Sequence, residues 1–549
     1  MFKHYLKSKL FIMKIKTVKN GLSCLFLGII LLGSCKKYSD QPDKDYGKNP
    51  KNSGASYYYN TNFDFYVLAD GITLDRFNTR YPGSVNKSVQ ISGLQLGEKL
   101  LAIDFRPASG QLYGIGSTSR IYVINQNTGV ARMIGTGPFT PVLNGTLVGF
   151  DFNPTVDRIR IVTNNRQNLR LNPETGAVVA VDGSINIGGQ PTPMLAAAAY
   201  ENSIAGAATT TLYSIDPTTK KLYRNNPPNA GTLEEVGSLN LNISGEGGYD
   251  IDGKTNTGLA IFKVNGRPTL FSVNDYNAAT QVLATYSKNY SAIAIPTPEV
   301  AYAPSTNNTL LIFNPNNSDA PVSKPFTGQA AGERIIGLDM RPLNGQLYAL
   351  GSGSRIYTVN ASSGVLALVG TLTTPLIGTD FGFDFNPVVD RIRIVSNTGQ
   401  NLRANPTNAV TITDMPINPS GRAVTAIAYR NNYAGATTTV LYDIDVATDK
   451  LYRQDPPNNG TLVEIGSLGV NIDAMSGFDI GGMSNNGYAL LRSGGVTKLY
   501  RVNIDYSNSG YGGGGYGGGY NYDYNTSSIL SFKRDFNIAV NGFALGLGF

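Results

Sequence analysis

Six aspartates stand in one recurring context: Asp104 in IDF, Asp151 in FDF and Asp250 in YDI, then Asp339 in LDM, Asp384 in FDF and Asp479 in FDI. An extended strand alternates its side chains between two faces, so each carboxylate points one way and its apolar neighbours the other. Two chemistries follow. Carboxylates that converge on one point offer the oxygen ligands Ca²⁺ prefers. Carboxylates that stay apart accept hydrogen bonds from the turn between the first two strands of their own sheet. Repetition at place after place fits the turn role, because catalysis rarely needs identical groups around a ring. On this reading no residue is assigned as a metal ligand.

A second recurring set is cationic. Arg158 and Arg160 share one strand face, are followed by Arg166 and Arg170, and return as Arg391, Arg393 and Arg403. A guanidinium fork matches an anionic glycan or a carboxylate-rich partner. Ion pairing with Asp157 and nearby aspartates on a solvated sheet face is the preferred reading. Arg224–Asn229 (RNNPPN) and Arg453–Asn458 (RQDPPN) form a stiff loop that either holds binding residues or covers a sheet edge.

Much chemistry is excluded outright. The single histidine is His4, and the two cysteines are Cys24 and Cys35. A mature chain with no imidazole, no disulfide and no free thiol is the expectation, and it has no His/Cys zinc site and no Ser-His-Asp or Cys-His catalysis. An enzyme here would rest on carboxylates, Tyr, Lys or Ser. Paired carboxylates suffice for glycoside hydrolysis, and Tyr with Arg for lyase chemistry. No unduplicated carboxylate pair stands out, so no catalytic residue and no cofactor is assigned.

The elements that position these residues come in two copies. GFDFNPTVDRIRIVTNNRQNLRLNP (149–173) returns as GFDFNPVVDRIRIVSNTGQNLRANP (382–406), and longer alignments extend the repeat to units of about 230 residues. Within each unit a short apolar strand ending in Asn or Asp recurs, as in IYVIN to Asn125 and IYTVN to Asn360. Its terminal side chain caps the next turn, and a following Gly supplies the left-handed position. Two strands precede each such theme and one follows, as in residues 101–134. Four antiparallel strands per ~45 residues make the blade of a β-propeller.

The expected fold is therefore all-β, with two tandem five-bladed propellers over 62–296 and 297–549. One ten-bladed ring is the alternative. The first blade begins at FYVLAD and lacks an innermost strand. The terminal FNIAVNGFALGLGF (536–549) is expected to complete that first blade, and SAIAIP (291–296) occupies the equivalent place at the end of the first half. Pairing of 291–296 with 65–70 means separate closure; pairing with 299–304 means one ring. Residues 506–526, Gly- and Tyr-rich, read as a solvated loop insertion.

The N-terminus reads as an export signal. Residues 1–34 hold six lysines and no acid, followed by the apolar run 21–32, too short for the ~20 residues of a membrane span. Met13 is an equally sufficient start. Of the formal charge of +7, removing those lysines leaves about +1, so no nucleic-acid partner is expected. Leu32-Gly33-Ser34-Cys35 resembles the lipobox of bacterial lipoproteins. That resemblance implies lipid attachment at Cys35 and membrane anchoring, in the outer membrane of a Gram-negative cell. Residues 35–61 read as a flexible tether.

Gly97–Asn125, Gly149–Pro173, Ala205–Asp216 and their second-half counterparts resemble the domain of unknown function 4394 family of exported bacterial proteins. The resemblance implies a propeller-like β domain outside the cytoplasm and carries no catalytic residues with it. The expected function is a surface-anchored, non-catalytic binding or scaffolding module with an extracellular protein or glycan partner. A carboxylate-dependent glycoside hydrolase or lyase acting on extracellular polysaccharide is the alternative.

Overall fold

The computed structural model describes residues 61–188, 194–317, 319–473, 476–506 and 528–549. The expected export signal, Cys35, the expected tether through residue 60 and residues 507–526 of the Gly/Tyr-rich segment lie outside them. Ten four-stranded antiparallel sheets account for the strands, and the helical elements among the described residues are two short 3-10 turns, Pro228–Ala230 and Pro457–Asn459. The fold is all-β and propeller-like.

Most sheets are four consecutive strands, such as Leu100–Phe105, Leu112–Gly116, Ile121–Ile124 and Ala131–Ile134. The strand-terminal asparagines cap as their position requires. Asn125 Oδ1 accepts from the Asn127 and Thr128 N–H groups at 2.9 and 3.1 Å. Gly129 then takes φ 77°, a left-handed value that a side chain would strain.

Two sheets depart from consecutive order. Asp64–Ala69 takes Tyr290–Ala294 as its inner neighbour, with Val67 opposite Ile293. Ala301–Pro304 takes Ala544–Leu545 in the same place. The expected 14-residue terminal strand is thus two residues long, with Ser305 and Val540 adding one isolated bridge. It completes the first sheet of the second half, not the N-terminal sheet.

The inner strands Leu100–Phe105, Val148–Asn153, Ala197–Tyr200, Ile243–Ile251 and Tyr290–Ala294 pack side by side in that order, and the last also contacts the first. Ile335–Arg341, Phe381–Asn386, Val424–Tyr429, Ser476–Ile480 and Ala544–Leu545 repeat the pattern. Small residues permit this approach. A Cβ on Gly149 would lie 2.7 Å from that of Ala198, and one on Gly248 would lie 2.5 Å from the Ile293 nitrogen.

The cores lie between adjacent sheets. Ile103 and Phe105 pack toward the first sheet with Tyr66 and Leu68, whereas Ala102 packs toward the third with Phe150 and Phe152. Alternation thus sends Asp104 toward the third sheet. The two halves share a further core in which Ala108 meets Tyr302, Met340 and Leu547. The Tyr302 hydroxyl donates to Ala108 O at 2.8 Å, and Gly548 N to Ser109 O at 2.8 Å.

Candidate functional sites: two aspartate clusters and an arginine-lined pocket

The six aspartates converge in threes. Asp104, Asp151 and Asp250 each bring a carboxylate oxygen within 4.8 Å of the others, and Asp339, Asp384 and Asp479 do the same in the second half. All six are buried. Their hydrogen bonds differ from the expected turn contacts. Asp104 accepts from its neighbour Phe105 N at 2.7 Å and from Phe152 N, in the next sheet, at 2.9 Å. Asp151 accepts from Tyr200 N at 3.2 Å, and Asp250 from Ile251 N and Ile295 N. The second half repeats every bond: Asp339 with Met340 and Phe385, Asp384 with Tyr429, Asp479 with Ile480 and Leu545.

The departure from expectation has a simple cause. The side of the inner strand that carries Asp faces the next sheet, not the turn of its own sheet. Each carboxylate therefore reaches the neighbouring inner strand and ties two sheets together. Two sheets in each half have Ala at this position (Ala199 and Ala294; Ala428 and Ala544), and three acids serve five N–H groups.

Three buried carboxylates at this spacing cannot all ionise without a cation. Burial first, and neighbouring aspartates second, push Asp104, Asp339 and Asp384 well above the usual carboxylate range. Asp151 moves the same way for the same reasons. Burial pushes Asp250 and Asp479 up to about 7, against the pull of their backbone donors. The donor set suits a hard cation such as Ca²⁺ by element, but its oxygens already serve the backbone, which favours protons shared within each cluster. Neither cluster is placed to reach a polymeric substrate.

The arginines are organised differently from the expected pairing. Asp157 does not pair with the arginine ladder: it binds Arg106, whose Nε donates to Asp157 Oδ1 at 2.8 Å. Arg160 is buried and donates to Asp182 Oδ2 and Asn168 Oδ1, each at 2.7 Å, and to Asn229 Oδ1 at 2.6 Å. Arg170 grips the same Asp182 through two bonds at 2.7 and 2.8 Å. Arg393, Asp414, Arg403, Asn401 and Asn458 reproduce this network in the second half. Arg166 sits apart, in a turn at φ 64°.

The Pro-Pro loop belongs to this network. Asn458 accepts from Arg393, and Pro457 O accepts from Asn401 Nδ2 at 3.0 Å, so the loop ties its own sheet to the preceding one. Beneath it lies a cavity of about 210 Å³, lined by Arg391, Arg393, Arg403, Asn386, Tyr429 and Pro456 among others. Asp182 and Asp414 escaped the sequence reading, although their recurrence behind NLR-containing strands was a usable signal.

One ion cluster breaks the repeat. Arg106, 1% exposed, contacts both Asp157 and Glu174, and its Nη1 donates across the halves to Gly345 O at 3.1 Å. In the second half Arg341 pairs with Asp390 alone, because Thr407 stands where Glu174 stands in the first.

No curated protein matches the sequence. A solved structure described as PorZ, an essential bacterial surface component of the type-IX secretion system of Porphyromonas gingivalis, is similar at 11% identity and TM-score 0.24. The match covers 81% of this chain and 57% of that one. The chain thus spans somewhat over half the length of that protein. The family model for a domain of unknown function, DUF4394, matches residues 73–295 and 309–510, one match in each repeat, and the chain belongs to that family.

Proposed function

We propose that this protein is an exported lipoprotein whose two tandem five-bladed propellers act as a non-catalytic binding or scaffolding module at the cell surface. Separate closure of each half is supported by the pairing of Tyr290–Ala294 with Asp64–Ala69 and of Ala544–Leu545 with Ala301–Pro304. The observation that carries the functional reading is that the aspartate clusters and the arginine–aspartate networks are duplicated and bound to internal partners in both halves. A reactive centre needs groups free to meet substrate. The buried aspartates, hydrogen-bonded to inner-strand N–H groups, weigh against a carboxylate-dependent hydrolase.

Anchoring rests on Leu32–Cys35. Two or three acyl chains, each buried methylene contributing ~0.8 kcal/mol, hold a protein on a membrane stably. Cys35→Ser is expected to abolish labelling by radioactive palmitate and to move the protein from the outer-membrane fraction to the soluble one. Unchanged labelling and fractionation would overturn the anchor.

The module itself is tested by a panel of extracellular polysaccharides and proteins, scored for both binding and turnover. Saturable binding without turnover is expected. Turnover that survives purification, and is lost on substituting one Asp, Glu or Tyr in a still-folded chain, would show an enzyme instead.

A further inference from the structure

We propose that the cavity under the second-half Pro-Pro loop is a binding site for a carboxylate-bearing sugar, a uronate unit of an acidic polysaccharide. This rests on the binding-module reading and names its ligand class. The charge count comes first. Arg391, Arg393 and Arg403 line the cavity, and Asp414 is the one carboxylate shared by Arg393 and Arg403. Arg391 has no carboxylate partner among the described residues: its Nη1 donates to the Asp390 main-chain oxygen at 2.9 Å. Asp390 itself is engaged by Arg341.

Nearby acids do not redress the balance. Asp384 faces Arg393 across the strand pair but belongs to the buried cluster, whose members are pushed toward the neutral form. Asp443 is fully buried, and burial likewise holds its carboxyl well above the usual range despite the pull of Arg393. Three guanidinium groups thus line a cavity in which Asp414 is the one carboxylate paired with any of them. An anion completes such a site, and the planar fork of Arg391 is matched by a carboxylate.

The walls select the sugar. Exposed Pro456, half-buried Pro457 and exposed Val389 give one apolar side, to which the ring of a pyranose can be applied. Asn386 and Asn458 also line the cavity; Asn386 Oδ1 accepts from the Val388 and Val389 N–H groups and Asn458 Oδ1 from Arg393, which leaves the Asn458 Nδ2 to meet a ring hydroxyl. One unpaired cation against one apolar wall suits a single charged ring per site. An acidic peptide would call for a row of cations and a strand edge to hold its main chain. The first half carries the equivalent residues, with Arg158 Nη1 likewise donating to Asp157 O at 2.8 Å and Pro227–Asn229 in place of Pro456–Asn458, so a repeating polymer finds a repeated set of groups.

The test uses the full chain in detergent micelles. An α-1,4-linked galacturonate trimer, its fully methyl-esterified form and hexaglutamate are titrated by calorimetry at low and at 0.5 M salt. The trimer is expected to bind saturably, weakening with salt, and the ester to bind at least about tenfold less tightly. Arg391→Gln is expected to weaken the trimer by about tenfold or more, the scale of a lost charge-assisted bond. Its unfolding midpoint should stay unchanged, because only one main-chain bond is removed.

Equal binding of ester and acid overturns the uronate assignment. So does trimer binding indifferent to Arg391→Gln, or absent at millimolar concentration. Hexaglutamate binding more tightly than the trimer, in an Arg391-dependent way, would make this a peptide site. Binding of a neutral glycan elsewhere leaves the module reading intact while removing this site from it, whereas hydrolysis of the trimer removes the module reading itself.

Discussion

Arg106→Ala is expected to destabilise the protein by about 3–5 kcal/mol, the scale for removing one partner of a buried ion pair. Among the described residues Arg106 is the sole cation paired with Asp157 and Glu174, which are themselves buried. Its loss leaves two carboxylates in a site of low polarity without a counterion. It also removes the bond from Nη1 to Gly345 O, one of the polar links between the halves. Glu174 is already pushed up by burial, against the pull of Arg106, so it is the acid that takes up a proton when the arginine goes.

Arg341 provides the internal control. It has one acid, Asp390, whose side chain is 32% exposed, and no counterpart of Glu174. Arg341→Ala should therefore cost clearly less, because water can solvate the remaining carboxylate. Urea unfolding curves of the two variants, followed by tyrosine fluorescence, separate these outcomes. Adding Asp157→Asn and Glu174→Gln to an Arg106→Met chain should recover much of the loss, since a neutral cluster carries no buried charge. Equal costs at Arg106 and Arg341, or a loss under about 1 kcal/mol at Arg106, would show that the buried cluster is not what holds this region.

The repeat made most of the scaffold readable from residues. Asn125 and Asn172 end strands and cap turns because an amide oxygen two residues back is well placed for free N–H groups. SAIAIP stands out as a spare apolar strand with two possible partners, 65–70 and 299–304, and it takes the first. The aspartates were found but their destination was not. Period-two alternation says that Asp104 and Phe105 face opposite ways, and says nothing of how near the strands' neighbours come. That distance depends on Gly149, Gly248 and the alanines that let inner strands approach. Arg106–Glu174 is illegible for another reason: the residues lie 68 apart, and Glu174 is not repeated, Thr407 taking its place in the second half. The arginine ladder was visible, yet its acid sits in Asp182 and Asp414 instead of the adjacent Asp157 and Asp390, whose turn position directs them to Arg106 and Arg341.

Stability should fall as pH rises from about 4 to about 8, the reverse of the usual behaviour of paired carboxylates. An unfolded aspartate titrates near 3.9. Asp250 and Asp479, pushed up to about 7 by burial, still hold protons in the folded chain after the unfolded chain has released them. The folded state then binds more protons, so each increment of pH favours unfolding. The stabilisation is complete below the unfolded value and is lost as pH passes through about 7. Asp250 or Asp479 alone accounts for a loss on the order of 4 kcal/mol in its half, and the other aspartates of each cluster, also pushed up, act in the same direction. Asp75 and Asp182, held below the usual range by Lys288 and by Arg170 and Arg160, act oppositely and lose their contribution at stronger acidity. A stability maximum near pH 4 is the expected result, read from urea midpoints in chelator-containing buffer. Asp151→Asn with Asp384→Asn should flatten the alkaline decline, because each keeps an acceptor for Tyr200 N or Tyr429 N while removing one charge from its cluster. Millimolar Ca²⁺ should leave the profile unchanged, since five of the six oxygens in each cluster already accept backbone N–H groups. Restoration of stability at pH 8 by Ca²⁺, lost again in the double Asn variant, would instead establish the two clusters as cation sites and replace shared protons with a bound ion as what joins the sheets.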